Sequence, residues 1–326
     1  MLSVFAHSQN DSLNQLKFKS LVFGNIFTAF YYSPGEKIKP DKGFEFTTGL
    51  IGYKAQWGDK ATATLIYDVF RTTDRIMVSD SNNYQHNVSY TRGSDYTGFL
   101  KMAQIDFMLS KSIEFSVGQI LNQQYLTFQD KFWGFRYIAT TFQEMNRFGA
   151  QADFGARFTF KPISSLNFSI GAVNGEGPFR LQSDDGSLQY FTNIEYSPFK
   201  GYIIKVFGDY LPVSGKETRN TISFFTGYKN DKWRLGTEIN ILNNHLNTDS
   251  NDLKGLSTYG AYRLNPKWQL LLRHDYIIKS MIFENTHLFI AGAEFEPYKG
   301  FYTSINYRFR SHGNVSWIYF SFGARF

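Results

Sequence analysis

Few residues in this chain could drive a reaction. Among 326 residues there are six histidines and no cysteine, which excludes a thiolate nucleophile, a thiolate metal site and a disulfide scaffold. His274-Asp275 is the one suggestive acid-base pair, but adjacent residues of a strand project to opposite faces and cannot form a relay. Neither HExxH nor Gly-x-Ser-x-Gly occurs. Gly24, Gly49 and Gly52 precede no helix that could make them a phosphate-binding turn. These features point away from an enzyme, and no cofactor or metal is expected. What remains is charge. Arg308 and Arg310 lie two apart, on one face of a strand, and form the best local site for attracting anions. Their alternative use is pairing with carboxylates on neighbouring strands.

The elements that carry these charges are best read from the end of the chain, VSWIYFSFGARF (315–326). Ile318, Phe320, Phe322, Ala324 and Phe326 recur at period two, while Tyr319, Ser321, Gly323 and Arg325 fill the other register. Period two marks a strand with one apolar and one wet face. A last strand ending on an aromatic resembles the signal read by the outer-membrane assembly machinery, carried here by Phe326, Phe322 and Phe320. The same alternation recurs upstream. Ala150, Ala152, Phe154, Ala156, Phe158 and Phe160 alternate with polar residues, as do Phe301, Thr303, Ile305, Tyr307 and Phe309.

Counted along the chain, such segments number about sixteen, each near the roughly 9 to 11 residues that cross a bilayer at a tilt. Tight breaks near 57–60, 109–112, 161–164, 198–201, 230–232, 265–267 and 297–300 alternate with longer ones. An even count returns both termini to one side, so the tight breaks share that side and Phe326 lies beside the start of the first strand. Trp57, Phe199, Tyr202, Trp233, Trp268, Tyr298 and Phe301 flank the tight breaks, as a girdle at one membrane interface would. The expected fold is all-β, a transmembrane antiparallel β-barrel with short periplasmic turns and long extracellular loops. Strands near 255–265 and 287–296 have the least clear facing.

Composition agrees. Aromatics make up 18% of the chain, yet mean hydropathy is -0.33, which alternating strands reconcile. No run is long and apolar enough for a membrane helix. A net charge of +6 suits anionic solutes or lipid and falls short of a nucleic-acid footprint. LSVFAHSQ near the start looks like the tail of a secretory signal, so residues 1–14 are set apart and the barrel is assigned to 15–326.

If apolar faces meet lipid and lipopolysaccharide, polar faces line a lumen. Inward candidates are Asp153, Arg157, Lys205, Arg234, Arg273, Arg308 and Arg310, interleaved with acids such as Asp68, Asp209, Glu238 and Asp275. A wall of mixed sign keeps a pore wet but selects weakly. The third long loop, about 122–147, is different. FWGFRYI at 132–138 is too aromatic to meet only water, and Ile138, Phe142 and Met145 suggest a short amphipathic turn. Folded inward, the loop would place Lys131, Arg136, Glu144 and Arg147 at a constriction. Folded outward, it would pack on lipopolysaccharide or a partner.

SVGQ (116–119), FWGFRYI, GAQADFGARF (149–158), YGAYRLNPKWQLLLRHD (259–275) and IAGAEFEPYKGFYTSINYR (290–308) resemble the outer-membrane porins of the phosphate-selective O/P type. The resemblance implies a 16-stranded channel for small hydrophilic solutes, a homotrimer, with its third loop in the lumen. Because basic residues here are interleaved with acids, phosphate specificity does not carry over, and a weak anion preference is expected. The alternative is a non-conducting barrel, plugged by its loop, that serves as a scaffold or subunit of a surface complex.

Overall fold

The computed structural model describes residues 17–35, 40–71, 78–79, 85–86, 96–279 and 285–326. The stretch expected to be a residual signal, 1–14, lies outside them. Sixteen strands form one closed antiparallel barrel. In chain order they are β1 (Phe18–Tyr32), β2 (Lys42–Trp57), β3 (Ala61–Arg71), β4 (Tyr96–Met108), β5 (Ile113–Leu121), β6 (Ala152–Ile163), β7 (Leu166–Val173) and β8 (Gln189–Tyr196). Then follow β9 (Tyr202–Leu211), β10 (Arg219–Lys229), β11 (Trp233–Asn243), β12 (Leu253–Arg263), β13 (Trp268–Lys279), β14 (Thr286–Tyr298), β15 (Phe301–Arg310) and β16 (Val315–Arg325). A separate two-residue ladder pairs Val78–Ser79 with Gln85–His86. Among the described residues no helix is long and apolar enough to cross a membrane.

Each strand pairs with its sequence neighbour, and β16 closes on β1 with Asn25 opposite Arg325 and Phe30 opposite Phe320. Closure satisfies the backbone donors and acceptors that an open edge would leave bare in lipid. Phe326 exchanges two backbone hydrogen bonds with Gly24, at 2.9 and 3.1 Å. The chain therefore ends part-way along β1 rather than beside its first residue, because the barrel is sheared. Phe18 to Phe23 pair with β2 alone.

Connections 58–60, 109–112, 164–165, 197–201, 230–232, 264–267 and 299–300 share the rim that holds Phe326, here the lower rim, and none exceeds five residues. The upper rim carries the longer ones, including 122–151 and 174–188, although 311–314 is also short. The outer surface is apolar, with Phe44, Ile222, Leu272, Ile305 and Phe322 all exposed. An apolar surface of that extent is stable only against lipid or protein. Around the lower rim Trp57, Phe199, Trp233, Trp268, Tyr298 and Phe301 stand exposed, several stacked on a neighbour, as in Trp268 with Phe295 at 4.6 Å and Phe199 with Tyr202 at 5.0 Å.

Candidate functional site

The inward register is fixed by cross-strand partners. Ser116 lies opposite Arg157, Glu195 opposite Lys205, Tyr259 opposite Arg273, Ile290 opposite Arg308, and Arg310 opposite Val315. The third long connection, 122–151, enters this lumen. It carries two single-turn helices, α1 (Gln129–Trp133) and α2 (Phe142–Met145). α1 ends on Gly134 at φ 70°, a left-handed turn that glycine adopts without strain, and a Cβ there would collide with the Arg234 guanidinium. Ile138 precedes α2 and Met145 is exposed, so the expected amphipathic turn is confined to Phe142–Met145, with Thr141 capping it.

The loop is packed as a core. Trp133, Phe135, Tyr137 and Ile138 sit against Phe27, Ile203, Phe225, Tyr259, Leu271 and Ile290 of the wall, and Phe142 and Phe148 against Leu242, Leu253 and Ile277. Trp133 is 1% exposed, and burying a side chain of this size stabilises the docked loop by about 1.5–3 kcal/mol. Three inward glycines leave room for aromatic rings. A Cβ on Gly227 would come within 2.6 Å of Phe132, one on Gly323 within 3.1 Å of Tyr137, and one on Gly255 would overlap Phe142.

Four wall cations on alternate strands hold the loop backbone. On β9, Lys205 Nζ donates to the Gln123 carbonyl, the Gln124 carbonyl at 3.0 Å, Thr127 Oγ1 at 2.8 Å and Gln129 Oε1 at 3.0 Å. On β11, Arg234 donates to the Trp133 carbonyl at 3.0 Å. On β13, Arg273 donates to the Thr140 carbonyl at 2.6 Å and pairs with Asp275 at 2.7 Å. On β15, Arg308 donates to the Ile138 carbonyl at 2.5 Å and stacks on Tyr319. All four face inward, as their register requires, but their charge is directed at the loop rather than at an open wall. Gln143 on the loop returns the interaction by donating to Glu238 of β11 at 2.6 Å.

The remaining expected wall residues do other work. Asp153 accepts the backbone N–H groups of Gly175 and Gly177, tying down connection 174–188. Arg157 donates to Ser116 at 2.9 Å, and Arg310 donates to the His312 carbonyl at 3.1 Å at the upper rim. On the loop, Arg136 makes a bidentate pair with Glu144, both contacts 2.6 Å, and a longer one with Asp130 at 3.1 Å. Burial works against its charge, but the Glu144 and Asp130 carboxylates outweigh it and raise the guanidinium pKa above its ordinary value. Glu144 also accepts from Gln151 at 2.6 Å. Lys131 Nζ lies 6.0 Å from the centre of the Phe128 ring, and Arg147 is exposed at the upper rim. Of the four expected constriction residues, the structure thus brings together Arg136 and Glu144.

Two cavities flank the loop and share no lining residue. The upper one, about 470 Å³, is bounded by Arg136, Glu144, Arg147, Asp68, Tyr125 and Phe179. The lower one, about 810 Å³, is bounded by Phe128, Phe132, Lys200, Tyr202 and Lys229. Beside the upper cavity Lys101 of β4 pairs with Asp68 of the adjacent strand β3 at 2.7 Å. The sequence reading missed Lys101, the glycine sockets and Gln143, because their roles depend on which part of the loop arrives opposite them. The one available signal was inward glycine in strands whose other inward residues are bulky.

This geometry matches solved structures. The high-pH structure of OprB from Pseudomonas putida aligns over 95% of this chain and 94% of its own, with 10% identity and a TM-score of 0.69. The anion-selective porin from Comamonas acidovorans aligns over 95% of this chain and 100% of its own, with 10% identity and a TM-score of 0.67. Salmonella typhi OmpF, in complex with daunomycin, aligns over 94% and 97%, again with 10% identity and a TM-score of 0.67. The chain has the fold of the outer-membrane porins. At this identity the likeness concerns the fold, and it favours no subtype such as the phosphate-selective one. No family model and no curated protein matches the sequence.

Proposed function

We propose that the protein is a channel of a Gram-negative outer membrane, assembled as a homotrimer, through which small hydrophilic solutes diffuse passively with a weak preference for anions. The observation that supports this reading is the division of the barrel. Apolar side chains face out around its circumference, against lipid and lipopolysaccharide, and charged side chains face in around a narrowing loop. Several inward oxygens, among them Asn193 Oδ1, Asn240 Oδ1 and Asp209 Oδ1, have no protein hydrogen-bond partner, a situation that a water-containing lumen relieves. The anion preference is supported by Arg234 and Arg308, whose partners are carbonyls and Asn306 rather than carboxylates.

The tightness of the loop favours a second reading, a barrel whose loop closes it and which serves a surface complex as a scaffold. Lys205, Glu238 and Arg273 are each only 1% exposed, so little of that wall meets solvent. Purified, heat-modifiable protein in planar bilayers distinguishes the two. The channel reading expects discrete conductance steps and a reversal potential modestly favouring chloride in a salt gradient. Folded protein that inserts without conducting, and conducts once 122–147 is shortened, establishes the plugged scaffold instead.

A further inference from the structure

A smaller pocket, about 290 Å³, opens at the upper rim beside the loop. Three segments build it: Met145, Asn146 and Arg147 from the end of α2, His245 from connection 244–252, and Leu253 and Lys279 from the upper ends of β12 and β13. Its lining contains three basic groups and no carboxylate. Arg219 lies close enough to act on His245 as a third positive charge beside Arg147 and Lys279. Asp252, in the same connection as His245, accepts the backbone N–H of Asn244 at 3.1 Å. Among the described residues, the side chains of Arg147 and Lys279 and the His245 ring make no ion pair or hydrogen bond. Like charges held together without an ion-pair partner among the described residues repel, and an anion that joins them relieves that cost.

Backbone geometry marks the same place. Six non-glycine residues among those described have left-handed φ, and five belong to the segments that form this pocket: Arg147 at 59°, Asn244 at 52°, Leu246 at 60°, Asn247 at 55° and Ser250 at 57°. Arginine and leucine gain nothing locally from that conformation, and such strain concentrates where surrounding structure enforces a binding geometry. The floor is apolar, with Leu253 4% exposed and Met145 beside it. Arg147 also lines the upper cavity above Arg136, which puts the pocket at the entrance to the lumen.

We infer that this pocket binds a small organic anion carrying carboxylates at its ends, a short dicarboxylate. Arg147 takes one carboxylate through its two-pronged guanidinium, Lys279 takes the other, and Met145 and Leu253 cover the apolar carbons between. The volume is at the lower end of the roughly 300–1,000 Å³ typical of small-molecule sites, which suits a ligand of a few carbons. The site belongs to the rim and goes beyond the channel reading; it binds whether or not the barrel conducts.

The test is calorimetric titration of the detergent-solubilised, heat-modifiable protein with succinate at low salt. Saturable binding is expected, with Arg147→Gln and Lys279→Gln each weakening it about 10- to 100-fold, the range for losing a charge-assisted hydrogen bond. Arg180→Gln, an exposed basic residue in another connection, should leave it unchanged, and the uncharged isostere succinamide should not bind. Absence of saturable binding to folded protein overturns the inference. So does unchanged affinity in both variants, or binding of inorganic phosphate or succinamide as tight as that of succinate. None of these readouts depends on conductance, so the channel reading stands or falls separately in the bilayer.

Discussion

Lys205→Met should release one leg of the inward loop. The ammonium is 1% exposed and donates to two backbone carbonyls, a threonine hydroxyl and a glutamine oxygen, with Glu195 3.9 Å away. Hydrogen bonds to a charged donor are worth about 1.5–3 kcal/mol each, but they are not additive and water replaces some when the loop lifts. Removing one member of a buried charged pair costs about 3–5 kcal/mol, and that is the better guide. It would raise the fraction of time this leg is undocked by roughly two to four powers of ten. Methionine keeps the side-chain length, so the change reports the charge and its four acceptors rather than a cavity. Limited proteolysis of the solubilised barrel, with single-channel recording on the same preparation, reads the outcome. Cleavage within 122–130 should accelerate while the barrel stays heat-modifiable, and current noise should increase. If the variant is as resistant to cleavage and as quiet as the parent, Lys205 does not hold the loop and the four-cation account is wrong for its best-connected member.

Two further outcomes follow from features outside the loop. Deleting Phe326 removes both hydrogen bonds to Gly24, so the yield of assembled barrel should fall while unitary conductance of assembled protein stays the same; a changed conductance would mean that this closure shapes the pore. His245 is held below the ordinary imidazole pKa by burial, then by Arg219, Arg147 and Lys279. A base with a depressed folded-state pKa stays neutral where the unfolded chain has already taken a proton. Its cost to folding therefore grows as pH falls below about 6.5, and any proton it does take adds charge to the rim pocket. Succinate affinity should rise as pH drops from about 7.5 to about 6 and stay flat in His245→Gln; identical profiles for the two proteins would remove His245 from the site.

The parts of this fold that were legible beforehand are those whose two faces meet different solvents. In β15 and β16, Phe301, Ile305, Phe320 and Phe322 face out while Ser304, Asn306 and Ser321 face in, so alternation reports the register directly. β12 and β14 were ambiguous for a physical reason. Their inward residues Leu253, Tyr259, Ala261, Leu288 and Ile290 are apolar because the loop docks there, and a strand apolar on both faces has no readable alternation. The aromatic run FWGFRYI announced that the loop must be buried, but not where.

The sequence by itself determined the strand count, the sorting of short and long connections, and the inward placement of Lys205, Arg234, Arg273 and Arg308, since these follow from period two and the even closure of a barrel. Only the tertiary structure decided what those cations touch. Their acceptors are backbone carbonyls of Gln124, Trp133, Ile138 and Thr140, groups that every residue possesses, so no residue type in the loop could reveal the pairing. The rim pocket is hidden in the same way. Arg147, His245 and Lys279 come from distant parts of the chain and meet only because the barrel's shear and the loop's inward fold bring three ends to one place.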